Sequence, residues 1–295
     1  MTTSTSSIAA PPASALAGPA PGPGAPPSRP TGPARVARVV HDGWPVVLVA
    51  VLALALWFVL TATVYKGKGF LVPSPQEVGA AVLENAGVLG LATLSTLKEA
   101  TLGFLIAIVF GIALAALLSQ SRLLERSIYP YAVLLQTVPV VAVAPLIVLW
   151  FGYNDSSVII ISVIMSLFPI VNNTLLGLRS TSRNLIELFA LHNTNRLVAF
   201  WKLQLPGALP HIIAGLRISA GLSVIGAIVG EFIIGSGNAQ GGLGVQIVFA
   251  QGRMYTALLF AEVIAATLLG FLFFLVVSGI GRQLLKNWHE SAIGH

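Results

Sequence analysis

The residues able to do chemistry are few and scattered. Within otherwise apolar stretches stand Glu231, Glu262, the adjacent Lys98 and Glu99, Gln136 with Thr137, and Asn172 with Asn173. His192 lies in a polar stretch, where a surface contact is the expected role. No HExxH pattern, paired histidines or Ser/His/Asp arrangement accompanies them. Cysteine is absent, which excludes disulfides and thiolate metal sites. A GxxxxGK[ST] phosphate loop is also missing, so the chain is not a self-contained ATPase. Buried ionisable groups without a catalytic constellation point to binding or passage, not covalent chemistry. A carboxyl group in hydrocarbon is costly unless it faces protein or water. Glu231 and Glu262 are therefore candidates for lining a polar path, or for structural pairing. Gln136 and Thr137, just before Pro139, either line such a path or satisfy backbone groups freed by the proline.

The elements that hold these residues are hydrophobic. Of 295 residues, 56% are hydrophobic and only 9% charged, with mean hydropathy +0.88. Soluble domains carry about 25% charged residues, so lipid must cover much of this surface. Crossing a hydrocarbon core of about 30 Å takes about 20 apolar residues in a helix. Trp44–Val64, Leu91–Leu118, Tyr129–Phe151, Val158–Leu178, Pro210–Ile234 and Tyr255–Ile280 meet that requirement. The fold class expected is an all-α membrane protein with about six transmembrane helices. Gly103, Gly111, Gly215, Gly221, Gly226 and Gly230 are read as close-approach points between those helices.

Basic residues set the orientation. Arg122, Arg126, Arg179, Arg183, Arg196, Lys202, Arg282 and Lys286 fall on one side together with Arg29, Arg35 and Arg38, whereas the other side holds Lys66, Lys68 and Arg253. The positive-inside rule then puts both termini in the cytoplasm. The organisation expected is a disordered Pro/Ala-rich tail over 1–40, a transmembrane domain over 41–285 and a cytoplasmic tail over 286–295. Gln76–Leu89 reads as an amphipathic stretch at the outer interface.

One cytoplasmic segment, about 180–209, is too polar to span yet rich in apolar residues. Two short helices are expected, Arg183–His192 and Asn195–Gln204. Asn193 would close the first, Thr194 would cap the second, and Pro206 and Pro210 would stop it before the next span.

This segment resembles the cytoplasmic loop of the permeases of bacterial binding-protein-dependent ABC importers, which runs E-A-A, then Gly, then I-x-L-P. Glu187 matches the acidic position and Leu203-Gln204-Leu205-Pro206 the ending. Leu188 and Phe189 replace the two alanines, ahead of Ala190, and Asn193 stands in the glycine's place. Asn keeps access to the positive-φ turn. The resemblance covers roughly 76–285 and includes Gln136-Thr137-Val138-Pro139, Gly215-Leu216-Arg217 and Gly242-Leu243-Gly244. It is similar to the branch for nitrate, sulfonate, taurine and thiamine precursors, and Val224–Phe232 is similar to members for pyrimidine precursors or riboflavin.

The resemblance implies a type I importer permease fold in the bacterial inner membrane. Glu187, Leu188, Phe189, Ala190, Asn193, Leu203, Leu205 and Pro206 would form the coupling helix against a cytoplasmic ABC ATPase. It also implies an extracytoplasmic solute-binding protein, a second permease copy, and no cofactor on this chain, with ATP and Mg on the ATPase. No nucleic acid is expected as a partner. The rival class, an ion-coupled secondary transporter, predicts internal repeats and several buried acids; no convincing repeat is present.

Overall fold

A backbone surrounded by hydrocarbon must satisfy its own hydrogen bonds, and the chain does so with helices. The computed structural model describes residues 33–65, 70–192, 194–235 and 241–292. The elements are α1 (Pro33–Thr63), α2 (Pro75–Glu84), α3 (Ala86–Ser119), α4 (Arg122–Thr137), α5 (Val140–Phe151) and α6 (Asp155–Arg179). They continue with α7 (Arg183–Leu191), α8 (Arg196–Ala199), a π-helical turn (Phe200–Gln204), α9 (Leu205–Ile234), α10 (Leu243–Gly252) and α11 (Thr256–Ala292). The chain divides into two units, Met1–Ala55 and Leu56–His295, with the boundary inside α1.

Four of the described helical stretches are long and apolar enough to cross a membrane unaided: Ala86–Ser119, Asp155–Arg179, Arg196–Ile234 and Thr256–Lys286. Val47–Thr63 in α1 supplies a shorter apolar run. The expected span Tyr129–Phe151 is instead broken into α4 and α5. Val138 and Pro139 adopt extended backbone there, because Pro139 lacks an N–H and disfavours helix in the residue before it.

Local chemistry fixes several ends. Ser74 and Glu77 form a reciprocal capping box at the start of α2, with Pro75 in the first turn. That amphipathic helix stops at Glu84, short of Leu89. Asn154 caps α6 by accepting from the Ser156 N–H at 2.9 Å, and Asp155 follows in its first turn. Gly235, at φ +56°, ends α9 in a conformation that side chains disfavour.

The core of the second unit is built from α3, α6 and α9, and the α6–α9 interface is the most extensive. With lipid outside as apolar as the side chains, close packing and interhelical hydrogen bonds must hold helices together. Gly226 lets α9 approach α6 so closely that a Cβ would lie 2.8 Å from the Ser162 Cα. Gly230 meets Val158 Cα at 3.0 Å in the same sense, and Gly215 meets Asn173 Cβ and the Pro169 carbonyl at 2.9 Å. Gly103 and Gly111 press on Ser162 and Ile170 from α3. Gly221 does not belong with them, since a Cβ there would meet open space. Between the same helices, Ser162 Oγ donates to the Ser223 carbonyl at 2.9 Å and Ser219 Oγ to the Ser166 carbonyl at 2.7 Å.

Candidate functional site

The cytoplasmic segment folds as a short detached helix followed by a continuous rod. In α7, Asn184 through Leu188 are all exposed, as is Leu191; Leu188 is 48% and Leu191 81% accessible. Phe189 is half-buried. Asn193 lies outside the described residues. The turn after α7 is tied back by Thr194, whose backbone N–H and hydroxyl both donate to the Phe189 carbonyl. Thr194 is therefore not the next N-cap; Asn195 occupies that position without a side-chain capping bond.

Neither Pro206 nor Pro210 stops the second helix. Arg196–Ile234 is one uninterrupted helical stretch, with Pro206 in the first turn of α9. The π-helical turn just before it widens the spiral, so that the Leu205 N–H donates to the Phe200 carbonyl, five residues back. Proline's missing donor and ring bulk are absorbed in that local change of pitch. Phe200 is the buried anchor, packed with Leu178, Ala208 and Ile212. Its neighbour Trp201 meets it edge-on and is exposed. Leu203, Leu205 and Pro206 are half-buried. Apolar surface left bare on a polar element marks a protein or membrane contact.

At the outer end, Glu231 is 1% exposed and fully engaged. Its Oε1 accepts from the Thr96 hydroxyl at 2.7 Å and its Oε2 from the Gly244 N–H at 2.6 Å. Thr96 in turn accepts from the Leu243 N–H at 2.8 Å. Two first-turn N–H groups of α10 are thereby satisfied by side chains of α9 and α3. Glu99, on α3, is also buried, and its Oε2 has no hydrogen-bond partner among the described residues. The Gly242-Leu243-Gly244 motif gains a physical reason here. A Cβ at Gly242 would coincide with the Glu231 carboxyl, and one at Gly244 would lie 2.6 Å from the Ile228 carbonyl.

The remaining candidates separate. Lys98 pairs with Asp155 at 3.2 Å on the surface, while its neighbour Glu99 is buried. Glu262 is 1% exposed, and its Oε2 has no hydrogen-bond partner among the described residues. Gln136 and Thr137 are exposed beside the α4–α5 break, and the Thr137 hydroxyl donates to the Leu134 carbonyl of its own helix at 2.8 Å. Asn172 accepts from Tyr129 at 2.7 Å across helices, whereas Asn173 bonds the Pro169 carbonyl of its own helix. Thr96 and Phe200 escaped sequence reasoning. Thr96 meets its partner 135 residues away with no local pattern, although the aromatic pair 200–201 could have suggested an anchor.

A short exposed helix, tied by a turn to a long helix able to span a membrane, is the geometry expected of a permease moved from the cytoplasm. Residues 107–288 match the family described as binding-protein-dependent transport system inner membrane component. The chain belongs to that family. The permease is 36% identical over 229 residues to the formylaminopyrimidine transport permease protein ThiX of Halalkalibacterium halodurans, covering 76% of this chain and 88% of that one. It is 34% identical to the riboflavin transport system permease protein RibX of Chloroflexus aurantiacus, over 87% and 96% of the two chains. The taurine transport system permease protein TauC of Escherichia coli is 30% identical, over 81% and 87%. A crystal structure of a bacterial ABC transporter involved in the import of alginate superposes with a TM-score of 0.57. That match has 16% identity and covers 84% of this chain and 99% of the other, so it bears on the fold alone. The permease is thus an all-helical, multi-pass inner-membrane subunit of the ABC importer class.

Proposed function

We propose that two copies of this permease form the translocation path for a small solute, a thiamine-precursor-like or riboflavin-like heterocycle or an organic anion of the taurine, sulfonate or nitrate kind. The two relatives above at 36% and 34% identity carry heterocycle transport names, which favours the first class. An extracytoplasmic binding protein delivers the solute. The outer cavity of about 810 Å³ between α2, α10 and α11, edged by Glu77, Glu84, Arg253 and Tyr255, offers it a docking surface. Two cytoplasmic ATPase chains bind ATP and Mg, and this chain contributes no cofactor and no covalent step.

The observation that carries the reading is the exposed Glu187, Leu188 and Leu191 face, followed by the Arg196–Ile234 rod. A short helix seated in a groove of the ATPase transmits rigid-body motion to the spans. Phe189, Ala190, Asn193, Leu203, Leu205 and Pro206 support that contact. Gln136 and Thr137, exposed on the broken span, line the path between the two copies. Glu231, bonded to α3 and α10, holds helices in place, while Glu262 is buried within this chain with one carboxylate oxygen unpartnered among the described residues. Glu187→Lys tests the coupling role: it lowers ATPase co-purification and transport while membrane insertion stays intact. Normal co-purification with normal transport would remove Glu187 from the interface. Transport that persists with a hydrolysis-dead ATPase would favour an ion-coupled carrier instead.

A further inference from the structure

A second, smaller cavity of about 550 Å³ opens where α4 meets the end of α6. It is lined by Arg122, Glu125, Arg126, Tyr129, Pro130 and Arg179. The positive-inside pattern puts this end of both helices at the cytoplasmic face. Arg122 and Arg126 are one helical turn apart on α4, so both guanidinium groups serve the same wall. Arg179 is held in place by an ion pair with Glu125. Tyr129 is fixed by its bond to Asn172. Arg122 and Arg126 have no acidic partner among the described residues, which leaves three cations facing one carboxylate.

The surroundings of this pocket are apolar on the membrane side. Leu176, one turn before Arg179 on α6, is 53% exposed, and Val133, two turns beyond Arg126 on the same face of α4, is 37% exposed. A soluble anion would use only the guanidinium groups. A molecule with an anionic phosphate head and an acyl tail would use both surfaces. We propose that the Arg122–Arg126–Arg179 pocket binds the headgroup of an anionic phospholipid from the inner leaflet, with its tail running along Leu176 and Val133.

Each basic side chain near an anionic lipid surface contributes roughly a factor of five in affinity. The test is native mass spectrometry of the full chain, delipidated in detergent and titrated with phosphatidylglycerol and phosphatidylcholine of matched acyl chains. The wild-type chain retains phosphatidylglycerol selectively. Arg122→Gln with Arg126→Gln lowers that retention about 30-fold and leaves phosphatidylcholine unchanged. Both substitutions spare the Arg179–Glu125 pair, so the α4–α6 tie survives. Arg282→Gln with Lys286→Gln removes the same charge from the same face elsewhere and keeps the selectivity. Equal retention of the two lipids by the wild type, undiminished retention by the α4 variant, or equal loss in the Arg282/Lys286 control would overturn the proposal. Displacement of phosphatidylglycerol by millimolar inorganic phosphate would overturn it in favour of a soluble anion. Should the double variant fail to fold, Arg126→Gln alone carries the comparison with about a five-fold loss expected.

Discussion

Replacing Glu231 by alanine separates a structural role from a path role. The carboxyl accepts from the Thr96 hydroxyl and from the Gly244 N–H, and the site is buried on all sides. In Glu231→Ala the Thr96 hydroxyl can still give its proton to the Ala92 carbonyl, already 3.2 Å away. The Gly244 N–H has no such refuge. A stranded buried donor costs about 1–3 kcal/mol, and the void left by the truncated side chain adds roughly 1 kcal/mol. The total is about 3 kcal/mol, or roughly a 6–12 °C fall in Tm at about 2–4 °C per kcal/mol. Glu231→Gln should cost only about 1 kcal/mol. Its oxygen can accept from Gly244 while its amide donates to Thr96. Thermal unfolding in detergent, followed by tryptophan fluorescence, measures both variants. Hydrogen exchange adds the local readout, because the Leu243 and Gly244 amides should lose protection in the alanine variant alone. Equal effects of alanine and glutamine, or abolished transport with Tm and exchange unchanged, would refute the reasoning and return Glu231 to the solute path.

Two further predictions follow from packing and charge. Gly226→Ala forces a Cβ against the Ser162 backbone and should cost about 1–3 kcal/mol of stability. Gly221→Ala on the same helix meets open space and should leave Tm within a degree or two, or raise it slightly because alanine favours helix. Lys98→Ala breaks an ion pair whose side chains are 63% and 57% exposed, so the loss should stay below about 0.5 kcal/mol and vanish in high salt. A large, salt-insensitive loss there would mean that the pair is not solvated as described.

Four of the six expected spans were legible as full-length helices, because crossing hydrocarbon leaves an unmistakable length of apolar residues. Their ends were also legible, to within a few residues, for α6 and for the outer end of α9, where Asn154 and Gly235 act through local backbone chemistry. Pro139 and Pro206 look alike in sequence yet behave differently. The first breaks a helix outright, while the second sits where an early helical turn can widen around it. Only the neighbouring anchor, Phe200 against Leu178, Ala208 and Ile212, decides that the rod continues. Glu231 was found as an anomaly in an apolar run, but its partners lie on other helices, and spacing along one chain carries no trace of them. Gly221 shows the converse error: small residues at helical spacing announce contact, but the phase of the helix decides which of them meet a neighbour.

The continuous helix from Arg196 to Ile234 has a geometric consequence. Its 39 residues make a shaft of roughly 58 Å, at about 1.5 Å per residue. Were the shaft to move as a rigid body through its π-helical turn and Pro210, a tilt of about 5° about the cytoplasmic end would sweep the far tip through roughly 5 Å, about the thickness of one helical turn. At that tip sits the Glu231 carboxyl, gripping the first turn of α10. On that reading, motion delivered at Trp201 would arrive amplified at the opposite leaflet, where α10 must either travel with the shaft or let go of it.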